Sequence, residues 1–321
     1  MPDLRWRNAR LSPVEPKPRL IALTGATGFI GQHLLRELPR RGYRLRVLLR
    51  RPSVAPLDCA SAVVGDLARP MNMAAALADV DAVIHSAGLA PAMSGTPADD
   101  YRALNTEATV GLARAAQRAG VRRFVFLSSV RAQSGPTAPH VLTEDLPPRP
   151  SEAYGASKLA AEQGLAALEL DWVALRLATV YGPGMKGNMA ELIRLARVPY
   201  PLPVAGLTAR RSLLALDNLS EAIVTALSAP KPLRRPLLAA EPNPLTIPEM
   251  IAALRHGLGR RPGLVRVPES LLRSLARMAG RSEMYERLGG ALVVDAAALT
   301  ALGWQPRVET RAALAALMRG S

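Results

Sequence analysis

The stretch L-I-A-L-T-G-A-T-G-F-I-G, Leu20 to Gly31, decides the fold of this chain. Its first five residues form an apolar run typical of a buried parallel strand, and three glycines spaced by two residues follow at once. An amphipathic helix is predicted next, with Pro39 and Gly42 as its stop. Strand, glycine turn and helix in this order can place backbone N–H groups and a helix dipole on a phosphate.

Each glycine of the turn has an expected role in binding a dinucleotide. Gly25 allows the tight turn, Gly28 lets the backbone approach a pyrophosphate, and Gly31 lets the helix pack closely on the sheet. The plainer alternative is a tight turn that binds no ligand. We predict these cofactor-binding residues in the turn: Gly25, Thr27, Gly28, Phe29, Ile30 and Gly31.

Length and composition restrict the class of protein. The 321 residues allow one large or two moderate domains, and the 49% hydrophobic content supports a sizeable core. No apolar run is long enough to span a bilayer. Residues 1–18 are basic and lack an apolar signal segment, so we interpret them as a flexible tail of a cytoplasmic protein. The single cysteine, Cys59, excludes an intrachain disulfide framework and a cysteine-rich metal site.

The net charge of +15 is compatible with binding to nucleic acid, to an anionic membrane or to an anionic small substrate. Nucleic-acid binding is disfavoured because the basic residues are scattered, aromatics are only 4%, and no nucleic-acid motif is present. The histidines lack metal-ligand spacing, so we expect no metal. An apolar stripe with arginines could lie on a membrane, although such stripes more often pack on their own domain; it comprises Leu271, Leu272, Leu275, Met278, Arg273, Arg277 and Arg281.

Strands and helices alternate along the first half of the chain, which predicts an α/β fold with a doubly wound parallel sheet. Residues 19–180 would form the dinucleotide-binding domain, and 181–321 mainly a substrate-binding lobe with one return crossing near 211–240. Residues 131–150 are predicted to form an active-site loop. Further predicted strands are 44–49, 62–66, 82–88, 123–128, 172–176, 211–216 and 236–240. The other predicted helices are 73–77, 100–119, 152–168, 217–227, 247–258, 269–278 and 295–302.

Tyr154 and Lys158 stand four residues apart, on one face of a predicted helix. A nearby ammonium would lower the tyrosine pKa from about 10 towards neutrality, so that the phenol could exchange the proton that accompanies hydride transfer. The pattern alone is common, and its plainer interpretation is a half-buried tyrosine beside a solvated lysine. Ser128 and Ser129 end a preceding strand, and ligands of α/β folds bind at the carboxyl ends of the strands.

Together these motifs resemble the extended short-chain dehydrogenase/reductase family, also called the NAD-dependent epimerase/dehydratase family, from Thr24 to Pro306. The resemblance implies a Rossmann fold with a smaller C-terminal substrate-binding lobe. The matching pieces are T-G-A-T-G-F-I-G (24–31), G-D-L (65–67), H-S-A-G (85–88), Asn105, S-S (128–129), Y-G-A-S-K (154–158), V-Y-G-P-G (180–184), R-S-L-L-A-L-D-N-L (211–219) and L-G-W-Q-P (302–306).

The resemblance implies roles for individual residues. Tyr154 would be the catalytic acid/base, and Lys158 would bind the nicotinamide ribose and lower the Tyr154 pKa. Ser129 would donate a hydrogen bond to the substrate oxygen, with Ser128 as the alternative. Further implied cofactor contacts are Asp66, Leu67, Ala87, Gly88 and Asn105, and further implied substrate contacts are Asn188 and, on a phosphate, Arg211.

The two residues after the serine pair limit which reactions of this family the chain could catalyse. A sugar-nucleotide 4,6-dehydratase of this family needs an acidic pair there, and Val130 and Arg131 cannot serve as one. The 210–213 and 184–189 segments look like the bacterial branch that acts on UDP-sugars in polysaccharide assembly. We predict an oxidoreductase acting at C4 of a nucleotide sugar, with a 4-ketoreductase slightly favoured over a UDP-hexose 4-epimerase that retains NAD. A reductase of a non-sugar ketone and a non-catalytic cofactor-binding accessory protein are the alternatives, and a homodimer is compatible with each.

Arg50 and Arg51 follow the second predicted strand, where NAD-selecting enzymes place a carboxylate for the ribose hydroxyls. A guanidinium can bind a 2′-phosphate through charge-assisted bonds, which favours NADP(H) over NAD(H). The alternative is that both arginines are solvated or stack on the adenine without choosing between the dinucleotides.

Overall fold

The structure is a computed structural model that describes residues 19–52, 59–91, 95–278 and 290–319. The predicted tail, residues 1–18, and Arg281 lie outside the described residues. The strands are β1 (Leu20–Thr24), β2 (Arg44–Leu49), β3 (Ala60–Val63), β4 (Ala82–His85), β5 (Arg123–Ser129), β6 (Trp172–Leu177), β7 (Thr179–Tyr181), β8 (Arg210–Arg211), β9 (Leu213–Ala215), β10 (Arg235–Ala239) and β11 (Leu245–Thr246).

Helices connect these strands and form most of the C-terminal lobe. A π-helix, Arg102–Glu107, joins two of them, and a 3₁₀ turn, Val130–Ala132, follows β5. The α-helices are α1 (Phe29–Arg40), α2 (Met73–Ala76), α3 (Ala98–Tyr101), α4 (Ala108–Arg118), α5 (Ala153–Ala166), α6 (Asn188–Arg197), α7 (Leu216–Ser228), α8 (Ile247–Gly257), α9 (Glu269–Met278), α10 (Ala297–Thr300) and α11 (Thr310–Arg319). In the described part of the chain, no helix is long and apolar enough to cross a membrane.

Seven parallel strands form the central sheet in the order β10-β6-β5-β4-β1-β2-β3. Every residue of β1, β4, β5 and β6 is buried, as expected for strands covered on both faces. Side chains of α1 and α7 pack on one face, and those of α4 and α5 pack on the other. The predicted doubly wound parallel sheet is therefore confirmed.

The C-terminal lobe has its own apolar core, to which α6, α8 and α11 contribute. Glu241, which lies just beyond β10, ties this lobe to the sheet. Its carboxylate accepts hydrogen bonds from the Ala215 backbone N at 2.7 Å, from Asn218 Nδ2 at 2.6 Å and from Thr310 Oγ1 at 2.6 Å. Because the Glu241 carboxylate is buried and its oxygens accept hydrogen bonds, it links the C-terminal lobe firmly to the central sheet.

Several predicted boundaries are wrong for local reasons. Pro39 does not stop α1, because in the last turn its fixed φ fits the helix and only one hydrogen bond is lost. The third strand spans 60–63 rather than 62–66, because Gly65 has φ +72° and turns the chain away. The predicted strand 211–216 is split at Ser212, with β8 pairing with β11 and β9 with β7. Helices α6 and α11 were not predicted.

Candidate active site

The glycine turn after β1 forms a cradle at the N-terminus of α1. Gly25 has φ +70°, and a Cβ there would lie 2.6 Å from the Ala87 backbone N, so only glycine fits. A Cβ on Gly31 would lie 2.0 Å from the Gly25 carbonyl oxygen, which shows how closely α1 packs on the turn. Gly28 is the N-cap, and no side chain caps the helix. The open N-terminus of this 12-residue helix fits a dinucleotide pyrophosphate.

The structure separates the two candidate serines at the end of β5. Ser128 is buried, and its hydroxyl donates to Glu162 Oε1 at 2.5 Å. Ser129 Oγ instead accepts from the Arg131 backbone N at 3.2 Å, and the hydroxyl lies near enough to the Tyr154 phenol to act on the pKa of that group. Since the Ser128 hydroxyl is committed inside the protein, the geometry favours Ser129 as the serine that meets a substrate.

Tyr154 lies in the first turn of α5 and is half-buried. The Tyr101 ring packs edge-on against it, with the ring centroids 5.9 Å apart. Burial raises the Tyr154 pKa, while the nearby Ser129 hydroxyl and the charge of Arg131 act in the opposite direction. The expected lowering of the Tyr154 pKa by Lys158 is therefore not what the structure gives, because the environment of the ring outweighs the nearby charges.

Lys158 lies one helical turn further along α5 and is buried. Its Nζ donates to the Leu127 carbonyl at 3.0 Å and lies 4.5 Å from the centroid of the Phe126 ring. Burial lowers the Lys158 pKa to about 8, although the charge of Glu162 acts to raise it. A Cβ on Gly88 would lie 3.4 Å from Lys158 Nζ, so the loop after β4 approaches the ammonium closely.

Asn105 belongs to the π-helix and is fully buried. Its Oδ1 accepts from the Leu89 backbone N at 2.8 Å, and its Nδ2 donates to the Leu89 carbonyl and to Ser157 Oγ, each at 3.1 Å. This side chain therefore clamps the loop after β4 to α5. Because both amide hydrogens are used inside the protein, any contact with the predicted cofactor is left to Oδ1.

A hydrogen-bonded chain through His85 connects the glycine turn with the π-helix. His85 Nδ1 lies 2.7 Å from Thr24 Oγ1, and Nε2 lies 2.9 Å from Thr109 Oγ1. Thr109 Oγ1 donates to the Asn105 carbonyl, so it accepts from Nε2, and the imidazole is neutral with its proton on Nε2. Burial lowers the His85 pKa to about 3. Thr24 Oγ1 also accepts from the Ala87 backbone N at 3.2 Å, which positions the predicted cofactor-lining residue.

The residues predicted to read the adenosine half of the cofactor lie at the far edge of the sheet. Arg50 and Arg51 are exposed, and Arg50 Nη2 lies 3.4 Å from Asp66 Oδ2 in an exposed ion pair. Asp66 Oδ1 also accepts from the Ala68 backbone N at 3.0 Å. Leu67 is half-buried and packs on the core cluster that includes α4. Arg50 and Asp66 are thus brought together, although they are distant in the sequence.

The predicted substrate contacts lie in the C-terminal lobe. Asn188 is exposed at the first residue of α6. Arg211 donates from Nη1 to the Gly290 carbonyl at 2.5 Å and from Nη2 to the Pro136 carbonyl at 3.0 Å. Burial lowers the Arg211 pKa to about 10, and the charge of Arg131 acts in the same direction. Arg131 itself pairs with Glu152.

Sequence reasoning missed the buried ion pair behind the site. Arg176 on β6 donates to both oxygens of Glu162, with its Nη2 2.6 Å from Oε2, and both side chains are buried. Gln133 accepts from Arg176 and donates to the Leu146 carbonyl at 2.5 Å, which anchors the loop after the 3₁₀ turn. The one available signal was the position of Glu162, four residues after Lys158 on the same helix.

The fold and the site together define a Rossmann-fold enzyme with a dinucleotide cradle, and comparison with known proteins gives its family. Residues 21–236 match the NAD dependent epimerase/dehydratase family, to which the chain therefore belongs. This confirms the resemblance read from the motifs and makes the chain an enzyme that works with a nucleotide cofactor.

Individual relatives are similar over most of their length. The UDP-glucose 4-epimerase of Vibrio cholerae is 33% identical over 300 residues, which cover 90% of this chain and 91% of that protein. The ceramide reductase of Caulobacter vibrioides is 31% identical over 254 residues, 78% of this chain and 74% of that protein. The solved structure of MoeE5 in complex with UDP-glucose and NAD is 30% identical, with a TM-score of 0.72 and coverage of 93% of this chain and 97% of MoeE5.

Proposed function

We propose that this protein oxidises and reduces C4 of a nucleotide sugar, with Ser129, Tyr154 and Lys158 as its catalytic residues. The observation that carries the proposal is that the Ser129 side chain lies near enough to the Tyr154 phenol to act on its pKa, at the carboxyl end of β5. Lys158 and Gly88 lie at the same sheet edge, next to the glycine turn. The UDP-glucose 4-epimerase relative and the UDP-glucose complex of MoeE5 support this substrate class.

A nicotinamide dinucleotide, when bound, would supply the hydride acceptor and donor for C4. Tyr154 would take the proton of the C4 hydroxyl during oxidation and return it to the ketone oxygen during reduction. Ser129 would donate a hydrogen bond to the same oxygen. Lys158 would bind the ribose of the cofactor through its ammonium.

For the overall reaction, we propose 4-epimerisation with a retained cofactor. Two relatives at 33% identity, from Vibrio cholerae and Azospirillum brasilense, are UDP-glucose 4-epimerases, and MoeE5 binds NAD. The second candidate is the 4-ketoreductase that the sequence favoured, which would use a dissociable NADPH. Arg50 and Arg51 support it because a guanidinium can bind a 2′-phosphate, although Arg50 is already paired with Asp66.

We propose that Arg211 binds a phosphate of the substrate and that Asn188 is a further substrate contact. The charges of Arg131 and Arg211 act on each other, and an anion between them would relieve that repulsion. The phosphate would compete with the Gly290 and Pro136 carbonyls for the guanidinium of Arg211.

Product analysis with UDP-glucose and UDP-galactose tests the proposal. We expect interconversion without consumption of added dinucleotide, and mass spectrometry of the native protein should find bound NAD. Tyr154→Phe should lower turnover by about 10²–10⁴ and leave the cofactor in place. Tyr200→Phe is the matched control, because Tyr200 is 72% exposed. Turnover near the wild-type level in Tyr154→Phe would show that Tyr154 is not the catalytic acid/base.

Cofactor titration separates the two reactions. If the ketoreductase is correct, NADPH binds more tightly than NADH by fluorescence, and Arg50→Ala or Arg51→Ala removes the difference. Equal affinities that neither substitution changes would exclude an NADP(H) preference. Activity only on a lipid-like or other non-sugar ketone, as the ceramide reductase relative suggests, would contradict the nucleotide-sugar proposal.

A further inference from the structure

The C-terminal lobe exposes large apolar side chains on adjoining segments. Among the described residues, eight large hydrophobic side chains are exposed, and five of them fall between residues 195 and 278. Tyr200 is 72% exposed and Met278 is 83% exposed, so these are not the partly covered edges of a core. The five are Leu195, Tyr200, Val265, Leu271 and Met278. Exposed apolar side chains that cluster in this way are typical of an interaction surface.

Backbone contacts hold the segments that carry these side chains together. Leu202 and Leu264 form a bridge, and the Val265 backbone N donates to the Leu202 carbonyl at 2.9 Å. Arg260 Nη1 donates to the Arg197 carbonyl at the end of α6, also at 2.9 Å. The chain then continues into α9, where Leu271 and Met278 are seven residues apart, exposed, and on the same side of the helix.

The sequence of this region is rich in arginine and poor in acidic residues. The sequence from 260 to 278 holds five arginines and a single acidic residue, Glu269. No ion pair between described residues includes Arg255, Arg260, Arg261 or Arg266.

A cavity of about 290 Å³ lies among these arginines, next to Tyr200 in the chain. It is lined by Arg255, Arg260 and Arg261 together with Pro199 and Pro201. Arg255 is only 3% exposed, and its guanidinium is held by backbone carbonyl oxygens alone, those of Ala196, Val198, Tyr200, Pro262 and Gly263. A buried cation that is surrounded by neutral acceptors favours an anion at the mouth of the cavity.

We propose that this basic face, comprising residues 199–201, 260–267 and α9, binds the surface of an anionic phospholipid bilayer. The exposed apolar side chains would enter the headgroup boundary, and the arginines would bind lipid phosphates. A second copy of the chain would set arginines against arginines. Nucleic acid would leave aliphatic side chains such as Leu271 and Met278 without a role. An anionic bilayer matches both features of this face, because its phosphates complement the arginines and its apolar interior complements the exposed apolar side chains.

Sedimentation of the full-length protein with vesicles tests this proposal. We expect binding to phosphatidylcholine vesicles that contain phosphatidylglycerol, weakening with salt, and little binding to phosphatidylcholine alone. The double variant Arg260→Glu/Arg261→Glu should lower the affinity at least about tenfold. Met278→Ser should lower it without any change in charge.

The matched control changes the net charge equally at a distant place. Arg114→Glu/Arg118→Glu lies on exposed positions of α4, which packs on the sheet rather than in the C-terminal lobe. An equal loss of binding in this control would overturn the proposal, because net charge alone would then explain binding. Self-association in ultracentrifugation that Arg260→Glu/Arg261→Glu abolishes, without vesicle binding, would also overturn it. Turnover of a soluble substrate should be the same in both double variants, which separates this test from that of the catalytic proposal.

Discussion

Replacing Gly155 by alanine would push the helix that carries Tyr154 away from the 3₁₀ turn that directly follows Ser129. A Cβ at this position would lie 2.2 Å from the Arg131 carbonyl oxygen and 3.0 Å from the carbonyl carbon. Cβ atoms do not approach other heavy atoms closer than 3.0 Å, and both groups here are backbone, so no flexible side chain can yield. The start of α5 and the 3₁₀ turn must therefore separate by about 1 Å.

A separation of that size should move the Tyr154 phenol away from the Ser129 hydroxyl. Misplacement of a catalytic group by 1 Å can lower a rate about 10²-fold, and we expect a loss of that order in turnover for Gly155→Ala. Cofactor affinity should change far less, because the glycine turn after β1 is remote from the clash. The assay is steady-state turnover per folded protein, with unfolding by denaturant to measure the folded fraction.

Gly111→Ala is the matched control for this prediction. Gly111 lies in α4, and a Cβ there would meet nothing within 4 Å. Alanine should raise stability by about 0.5–1 kcal/mol at a helix interior and leave turnover unchanged. If Gly155→Ala folds and its turnover stays within about twofold of wild type, the spacing between Ser129 and Tyr154 does not control the rate.

Three further predictions concern the same region. Glu162→Ala should lower the free energy of unfolding by about 3–5 kcal/mol, because it leaves the buried charge of Arg176 without a carboxylate; a loss below about 1 kcal/mol would contradict this. The folded-state pKa of Lys158 is lowered from 10.5 to about 8, so the unfolded chain binds the extra proton between these values, and wild type should gain stability relative to Lys158→Met as the pH rises across that window. If the stabilities of wild type and Lys158→Met change with pH in the same way, the lowered pKa of Lys158 is refuted. Finally, neither UDP-glucose nor dTDP-glucose should yield a 4-keto-6-deoxy product, since Val130 and Arg131 offer no acid/base pair, and detection of that product would overturn the argument.

The parallel sheet could be predicted from the sequence because its strands are short apolar runs that end at glycine or polar residues. β1 and β2 have the predicted bounds, and β5 and β6 each extend one residue beyond theirs. Where the hydrophobic pattern of a strand is weaker, its pairing with the neighbouring strand determines its bounds. β3 ends where β2 ends, with Val63 beside Leu49 and the turn at Gly65 following, and its own hydrophobicity does not set its bounds.

The candidate site could be predicted only in part, because motifs name residues and not their partners. The sequence favoured Ser129 but left Ser128 as an alternative, and the buried carboxylate of Glu162 distinguishes the two serines. The direction of the Tyr154 pKa depends on how deeply the ring is buried, which no spacing in the sequence reveals. The neutral tautomer of His85 likewise follows from two threonines that are distant in the chain.

The transfer of hydride at C4 can be followed directly with UDP-glucose that carries deuterium at C4. After incubation with the purified protein, mass spectrometry and NMR would locate the label in the product. If this site removes and returns the C4 hydride, the deuterium stays at C4 of the epimer, and Tyr154→Phe slows the reaction without changing the position of the label. A C4 epimer that carries hydrogen from solvent would contradict hydride transfer. A lack of C4 chemistry both with this substrate and with 4-keto sugars plus NADPH would contradict the proposed function altogether.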